Sequence, residues 1–268
     1  MPKVEPITSA ANPLFKEVRR AIVRGGLTEE GCCIAESFHL LQEALRSRCE
    51  VRVALAAESV RSAAEAHVRG LPGIRMMVLP DALFQRLSGT ETSQGVMALV
   101  KPPAWKLEQL FRGCPLVVVL DGVQDPGNAG AIVRAAEAFG ATGALFVKGS
   151  ASPHNPKTLR ASAGSLFRVP CLYGVEAAMA REALERNRVE LYAGVPGRPG
   201  AGLSSVSAVD LRGRCALIVG NEAHGVSQEF RAAAIEVFIP TVGVESLNAA
   251  MAGGIMLYEA RRQRSAYP

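Results

Sequence analysis

The sequence predicts an α/β protein whose C-terminal part is an open parallel sheet, and three observations carry that expectation. Apolar runs recur between residues 116 and 239, as strands covered on both faces require. Helical stretches such as 131–139 separate those runs, and this alternation builds open sheets with sites at the strand carboxyl ends. A break at Lys101-Pro102-Pro103-Ala104-Trp105 sets this half off from what precedes it, because paired prolines hold the chain extended.

Ahead of the break, residues 36–46 place Leu40, Leu41, Ala44 and Leu45 on one helical face. Residues 51–56 read as a short strand, 59–69 as a second amphipathic helix, and 76–79 as a strand stopped by Pro80. Beyond the break, strands are expected at 116–120, 144–147, 171–173, 191–193, 216–219 and 237–239. The division is therefore a domain at 1–100, a linker at 101–110 and a second domain at 111–268.

Composition narrows the function classes. Of 268 residues 49% are hydrophobic and 21% charged, which excludes wholesale disorder. No apolar run reaches the roughly 18–20 residues of a membrane helix, and the first twenty residues hold no apolar signal segment. A cytoplasmic protein without a membrane partner is expected. The six cysteines and four histidines show no metal-ligand spacing, so no metal is expected and the thiols read as reduced, mostly buried small residues. A net charge of +5 permits a polyanionic partner without demanding one. There are 13 basic against 11 acidic residues up to position 105 and 17 against 14 beyond it, so neither half is a basic tail.

Three strand-ending loops combine glycines, a polar cluster and a following helix: 120–130 (LDGVQDPGNAG), 218–225 (IVGNEAHG) and 239–250 (IPTVGVESLNAA). Such loops offer backbone donors and acceptors to a small polar ligand. None matches a phosphate loop, a dinucleotide fingerprint or a serine-hydrolase elbow.

Together the loops resemble motifs of the SpoU (TrmH-like) family of RNA ribose 2′-O-methyltransferases, in the SPOUT superfamily. The first is similar to N-x-G-x-[IV]-x-R-x-A-x-x-[FL]-G, with Asn128, Gly130, Ile132, Arg134, Ala136, Phe139 and Gly140 in place. The second resembles G-N-E-x-x-G and the third I-P-x-x-G-x-x-E-S-L-N-A-A. Residues 156–164 (PKTLRASAG) and 87–96 (LSGTETSQGV) also resemble family segments. One departure is Ala223, where many relatives carry glycine.

The resemblance implies a knotted C-terminal domain, its last segment threading a trefoil knot, behind a smaller α/β domain like RNA-binding ribosomal proteins. It implies S-adenosyl-L-methionine held by backbone groups around Gly220, Ile239 and Leu247, with Asn248 near it. It assigns Arg134 as the catalytic residue, Asn128 and Glu222 as its positioners, Ser246 and Asn248 to the active site, and Lys157 and Arg160 to RNA. An arginine is almost always protonated, so orienting the ribose hydroxyl and stabilising charge is the conservative role for Arg134. The glycines of the last helix suggest close packing, within the knot or at a homodimer interface. rRNA is favoured over tRNA as substrate. Arg19, Arg20 and Arg24 are either phosphate contacts or a solvated helix face. Two rivals stay open at this point: a non-catalytic RNA-binding factor, and a knotted enzyme that methylates a base.

Overall fold

The computed structural model describes residues 4–71, 73–88, 93–197 and 202–265. The chain forms two compact units, Met1–Ala104 with His154–Phe167, and Trp105–Pro153 with Arg168–Pro268. The boundary thus falls inside the proline-rich break, and a short stretch of the second half packs with the first unit.

In order, the elements are β1 (Val4–Pro6), α1 (Pro13–Arg24), β2 (Cys33–Glu36), α2 (Phe38–Arg46), β3 (Val51–Ala57), α3 (Arg61–Val68), β4 (Arg75–Leu79), α4 (Asp81–Gln85) and β5 (Val96–Val100). They continue with β6 (Leu116–Asp121), α5 (Pro126–Ala138), β7 (Gly143–Val147), α6 (Pro156–Ala161), β8 (Cys171–Val175), α7 (Ala177–Arg186), β9 (Glu190–Gly194) and β10 (Ser204–Ser205). The last are β11 (Cys215–Gly220), α8 (Gln228–Arg231), β12 (Ile235–Phe238) and α9 (Ala249–Arg264).

The first unit carries a sheet of order β1-β4-β3-β5-β2, parallel across β1, β4 and β3 and antiparallel at β5 and β2. Its core gathers Phe15, Val18 and Ala21 of α1 against Ile34, Leu55, Met77, Phe84 and Met97. α1 starts at Asn12, whose side chain accepts from Leu14 N (2.9 Å) and Phe15 N (3.4 Å), and stops at Gly25 in the left-handed conformation that glycine adopts freely. The helix expected at 36–46 begins two residues later. Glu36 instead ends β2, and Ser37 caps α2 by accepting from Leu40 N at 3.1 Å.

Glu36 is also a buried charge of this unit, its side chain 5% exposed. Its carboxylate accepts from Ser88 Oγ (2.5 Å), Ser93 Oγ (3.3 Å) and Arg160 (2.7 Å). Arg160 arrives on α6 and so ties the stretch 154–167 to β2. Removing one partner of a buried pair leaves a desolvated charge, whereas removing both is far cheaper. Arg160→Ala is therefore expected to destabilise the first unit by about 2–3 kcal/mol, the serines softening the usual penalty. Arg160→Ala with Glu36→Gln should recover most of that loss in urea melts.

The second unit holds an all-parallel sheet of order β10-β12-β9-β11-β6-β7-β8. β6 and β11 lie at its middle and are apolar on both faces, which is why they read as continuous runs. Val117, Val119, Leu145, Leu191, Ala216 and Ile218 pack under Ala180, Leu184 and Phe230 on one side. On the other, α9 lies against α5. Gly253 permits this approach, since a Cβ there would meet Val219 and Ile132 at 3.2 and 3.3 Å, while Gly254 faces open space. Ile239, expected as a strand residue, falls just outside β12, where Pro240 ends the ladder.

No helix among the described residues is long and apolar enough to cross a membrane, and no group of three potential ligand side chains is placed to hold a metal ion. Three of the six free cysteines, Cys32, Cys33 and Cys215, are buried, and burial pushes the Cys33 thiol up to about 12. Cys114 is exposed, against the expectation of mostly buried thiols.

Candidate active site at the carboxyl ends of β6 and β11

β6 and β11 are hydrogen-bonded neighbours that end level, Asp121 opposite Gly220. The loops that follow them come from two of the three glycine-rich sequence segments. Asp121 is buried and accepts from Ser227 N at 2.7 Å, which pins the return of the β11 loop. Asn221 braces the same loop: its Oδ1 accepts from Ala223 N (2.9 Å) and His224 N (3.0 Å), and its Nδ2 donates to Gly122 O at 2.8 Å. Ala223 has no positive φ, so this turn sets no demand there that glycine alone would meet. Gly220 has no positive φ. Its lack of a side chain is needed because the backbone of Gly225 and Val226 folds back against it.

Three polar side chains join the three loops. Glu222 Oε1 accepts from Asn128 Nδ2 at 2.9 Å, and its Oε2 accepts from Gln124 N at 3.3 Å. Asn128 Oδ1 accepts from Asn248 Nδ2 at 3.0 Å. Asn248 Oδ1 in turn caps α9, accepting from Ala250 N (2.9 Å) and Met251 N (3.3 Å). The chain ends in a carboxylate, which only accepts, and in helix N–H groups, which only donate. That fixes the amide orientation at both asparagines. Partial burial works against ionisation of Glu222. Donation from Asn128 and from backbone N–H groups of Glu222, Gln124 and Asp125 outweighs it and holds the carboxyl below its ordinary value.

Asn128 has a second duty. It sits in the first turn of α5, where its backbone N–H donates to the capping Asp125 side chain at 2.7 Å. Arg134 lies six residues further along α5, about one and two-thirds turns on, so it does not stack over Asn128. It is exposed and has no ion pair or hydrogen bond among the described residues, leaving its guanidinium free for an anionic or hydroxyl-bearing ligand. Ser246 is exposed in the loop before α9, and Leu247 and Ile239 are half-buried on the same segment.

Residues 239–247 make no backbone–backbone hydrogen bond among the described residues, and Gly243 adopts φ 82°. Thr241 Oγ1 donates to Val244 O at 2.8 Å. A loop with unspent N–H and C=O groups suits a small polar ligand read by main-chain groups. Lys157 and Arg160 belong to the first unit. Lys157 is exposed, and Arg160 is occupied by Glu36. The order of the Glu222–Asn128–Asn248 chain was invisible in the sequence, since its partners are 94 and 120 residues apart.

Comparison with known proteins supplies the wider context. The model of the SpoU rRNA Methylase family matches residues 115–258, and that of an MRM3-like substrate binding domain matches 12–98. The chain is 30% identical over 260 residues to the 23S rRNA (guanosine(2553)-2′-O)-methyltransferase RlmP of Bacillus subtilis (strain 168), covering 96% of this chain and 100% of that protein. Among solved structures, it is similar to the SpoU methyltransferase AviRb from Streptomyces viridochromogenes in complex with AdoMet, with TM-score 0.82 and 28% identity over 94% of this chain and 98% of that one. It is likewise similar to an AdoMet-bound rRNA methyltransferase from Sinorhizobium meliloti, with TM-score 0.80 and 27% identity over 98% and 99% of the two chains.

Proposed function

The chain belongs to the SpoU rRNA methylase family, and from that premise we propose that it transfers a methyl group from S-adenosylmethionine to a ribose 2′-hydroxyl of large-subunit rRNA. The observation that carries this reading is the hydrogen-bonded line Glu222–Asn128–Asn248, which brings all three motif loops to one end of the sheet. A fold kept only for binding would have no need of it.

S-adenosylmethionine, when bound, supplies an electrophilic sulfonium methyl group. Backbone groups around Gly220, Ile239 and Leu247 would hold it, with Asn248 alongside. The protein's own residues do the rest. Arg134 binds and orients the ribose, fixing its 2′-oxygen for in-line attack and stabilising negative charge as the hydroxyl proton departs. The methyl group would pass from the sulfonium to the ribose oxygen, leaving a neutral thioether, and the hydroxyl proton would go to solvent. Glu222 and Asn128 hold the β6 and β11 loops in register, and Ser246 and Asn248 close the site from the third loop.

In the same reading, residues 1–100 recognise RNA, 101–110 link, and 111–268 carry out transfer through a domain whose C-terminal segment is knotted. Support for the knot is the return of α9 past β12 onto α5 and the central strands. The enzyme works in the cytoplasm, where ribosomal RNA is, and as a homodimer. Met251, Tyr258, Val242 and Val244 are large apolar side chains left exposed on α9 and the loop before it, which supports self-association there. Light scattering should give twice the 28.3 kDa chain mass, and a single 28.3 kDa species at micromolar concentration would remove the dimer. The function itself is tested by transfer of labelled methyl from S-adenosylmethionine to deproteinised rRNA and, separately, tRNA. Label on rRNA is expected. Label on tRNA alone would move the substrate class, and label on neither rRNA, tRNA nor ribosomal subunits would favour the non-catalytic rival.

A further inference from the structure

The outer face of α1 is a row of cations, of which Arg20 alone has an ion-pair partner among the described residues. Lys16, Arg19, Arg20, Val23 and Arg24 recur at helical spacing and span about 12 Å of helix. All five are exposed, and together they line an open groove of about 370 Å³. The opposite face of α1, with Phe15, Val18 and Ala21, is buried in the core of the first unit, so the helix presents its cations on a fixed platform. Arg20 pairs with Glu29 at 2.6 Å. Lys16, Arg19 and Arg24 have neither an ion pair nor a hydrogen bond among the described residues.

The row does not stop at the helix. Gly25, which caps α1, lies directly against the side chain of Asn155, and Asn155 caps α6 by accepting from Lys157 N at 2.9 Å. Gly25, next to Arg24, and Asn155, two residues before the exposed Lys157, thus meet in the same unit, in a contact too close for any side chain at Gly25. A bland account exists for Arg24 alone, since a cation in the last turn complements the helix dipole. It does not cover Lys16 and Arg19, which lie in the first two turns, where a cation gains nothing from the dipole.

We propose that Lys16, Arg19, Arg24 and Lys157 form a track on the first unit that grips the RNA sugar–phosphate backbone without reading its sequence. The inference rests on the RNA-methylating function proposed above and deepens it, by naming the surface that holds substrate away from the reacting ribose. Charge complementarity selects the occupant: four of the five groove residues are cations, and none of the five offers a side-chain acceptor to a donor-rich ligand. Backbone contacts of this kind position rather than specify, and each carries a salt dependence through counterion release.

The test measures binding of deproteinised large-subunit rRNA to the full chain across a salt series. Three proteins are compared: wild type, K16Q/R19Q/R24Q, and a control, R69Q/R86Q/R112Q, that removes equal charge from exposed positions elsewhere. The first triple variant should bind at least tenfold more weakly, its log–log salt slope falling by about 0.7–0.9 per contact removed, with the control near wild type. At saturating RNA its kcat should match wild type while KM rises, and its melting temperature should be unchanged because only exposed atoms differ. Equal slopes for wild type and K16Q/R19Q/R24Q would overturn the track and leave the methyltransferase function intact. Equal weakening by both triple variants would reduce the effect to net charge and overturn it as well. A wild type that binds no RNA overturns both readings. Loss of binding to vesicles of anionic phospholipid, with RNA binding unchanged, would assign the groove to a membrane surface instead.

Discussion

Replacing Asn128 by aspartate is expected to lower methyl transfer at neutral pH by roughly a hundredfold or more, the scale at which small misplacements in an active site are felt. The substitution keeps shape and removes a donor. In the wild type the Asn128 amide donates to Glu222 at 2.9 Å and accepts from Asn248 at 3.0 Å. With aspartate, two carboxylates face each other over that distance, and like charges so close share a single proton. The sign of the pH dependence follows. In the wild type the Glu222 carboxyl is held below its ordinary value, so its contribution to stability is present above the ordinary carboxylate range and is lost as pH falls through the lowered value. In Asn128→Asp the shared proton is held more tightly in the folded protein than in the unfolded chain. The penalty is therefore present above the raised value and relieved on acidification. Between about pH 7 and pH 5, the variant's melting temperature should rise relative to that of the wild type. A constant difference across that window would show that residue 128 and Glu222 are not coupled.

Arg134→Ala should cost about 10²- to 10³-fold in kcat, the range seen when one preorganised donor is removed from a developing charge. Affinity for S-adenosylmethionine, measured calorimetrically, should stay within twofold, because the site proposed for that ligand is built from main-chain groups of other loops. The melting temperature should not move, since Arg134 is exposed and has no partner among the described residues. Arg134→Lys restores charge without the planar fork and should recover only part of the rate. Full activity in Arg134→Ala would discard its catalytic assignment while leaving the enzyme class untouched.

The second unit was the more legible half of the sequence. Six of its seven strands were expected from the sequence: β6, β7 and β11 are buried on both faces and read as unbroken apolar runs, whereas the two-residue β10 has no apolar run to read. In the first unit, β2 (CIAE) and β5 (VMALV) gave no alternation to read, and β2 hides its glutamate inside an ion pair. That pair also explains why Arg160, assigned to RNA by resemblance, is found holding Glu36. A contact across 124 residues leaves no local trace, and neither does the packing of residues 154–167 with the first unit. At the site, each residue of the relay could be named from a motif, but their donor–acceptor order needed the fold. Gly225 and Gly243 adopt positive φ, at 69° and 82°, whereas Gly220 makes room for the protein's own returning loop, a difference that nothing in the sequence separates.

The most direct test of the central claim is the mass of the modified nucleoside. rRNA methylated by the wild-type protein with S-adenosylmethionine is digested to nucleosides and resolved by mass spectrometry. Ribose transfer gives a nucleoside whose added methyl stays with the sugar fragment, and Arg134→Ala should give about 10²- to 10³-fold less of it in the same time. A methyl that stays with the base fragment would contradict ribose transfer and give the site to base chemistry.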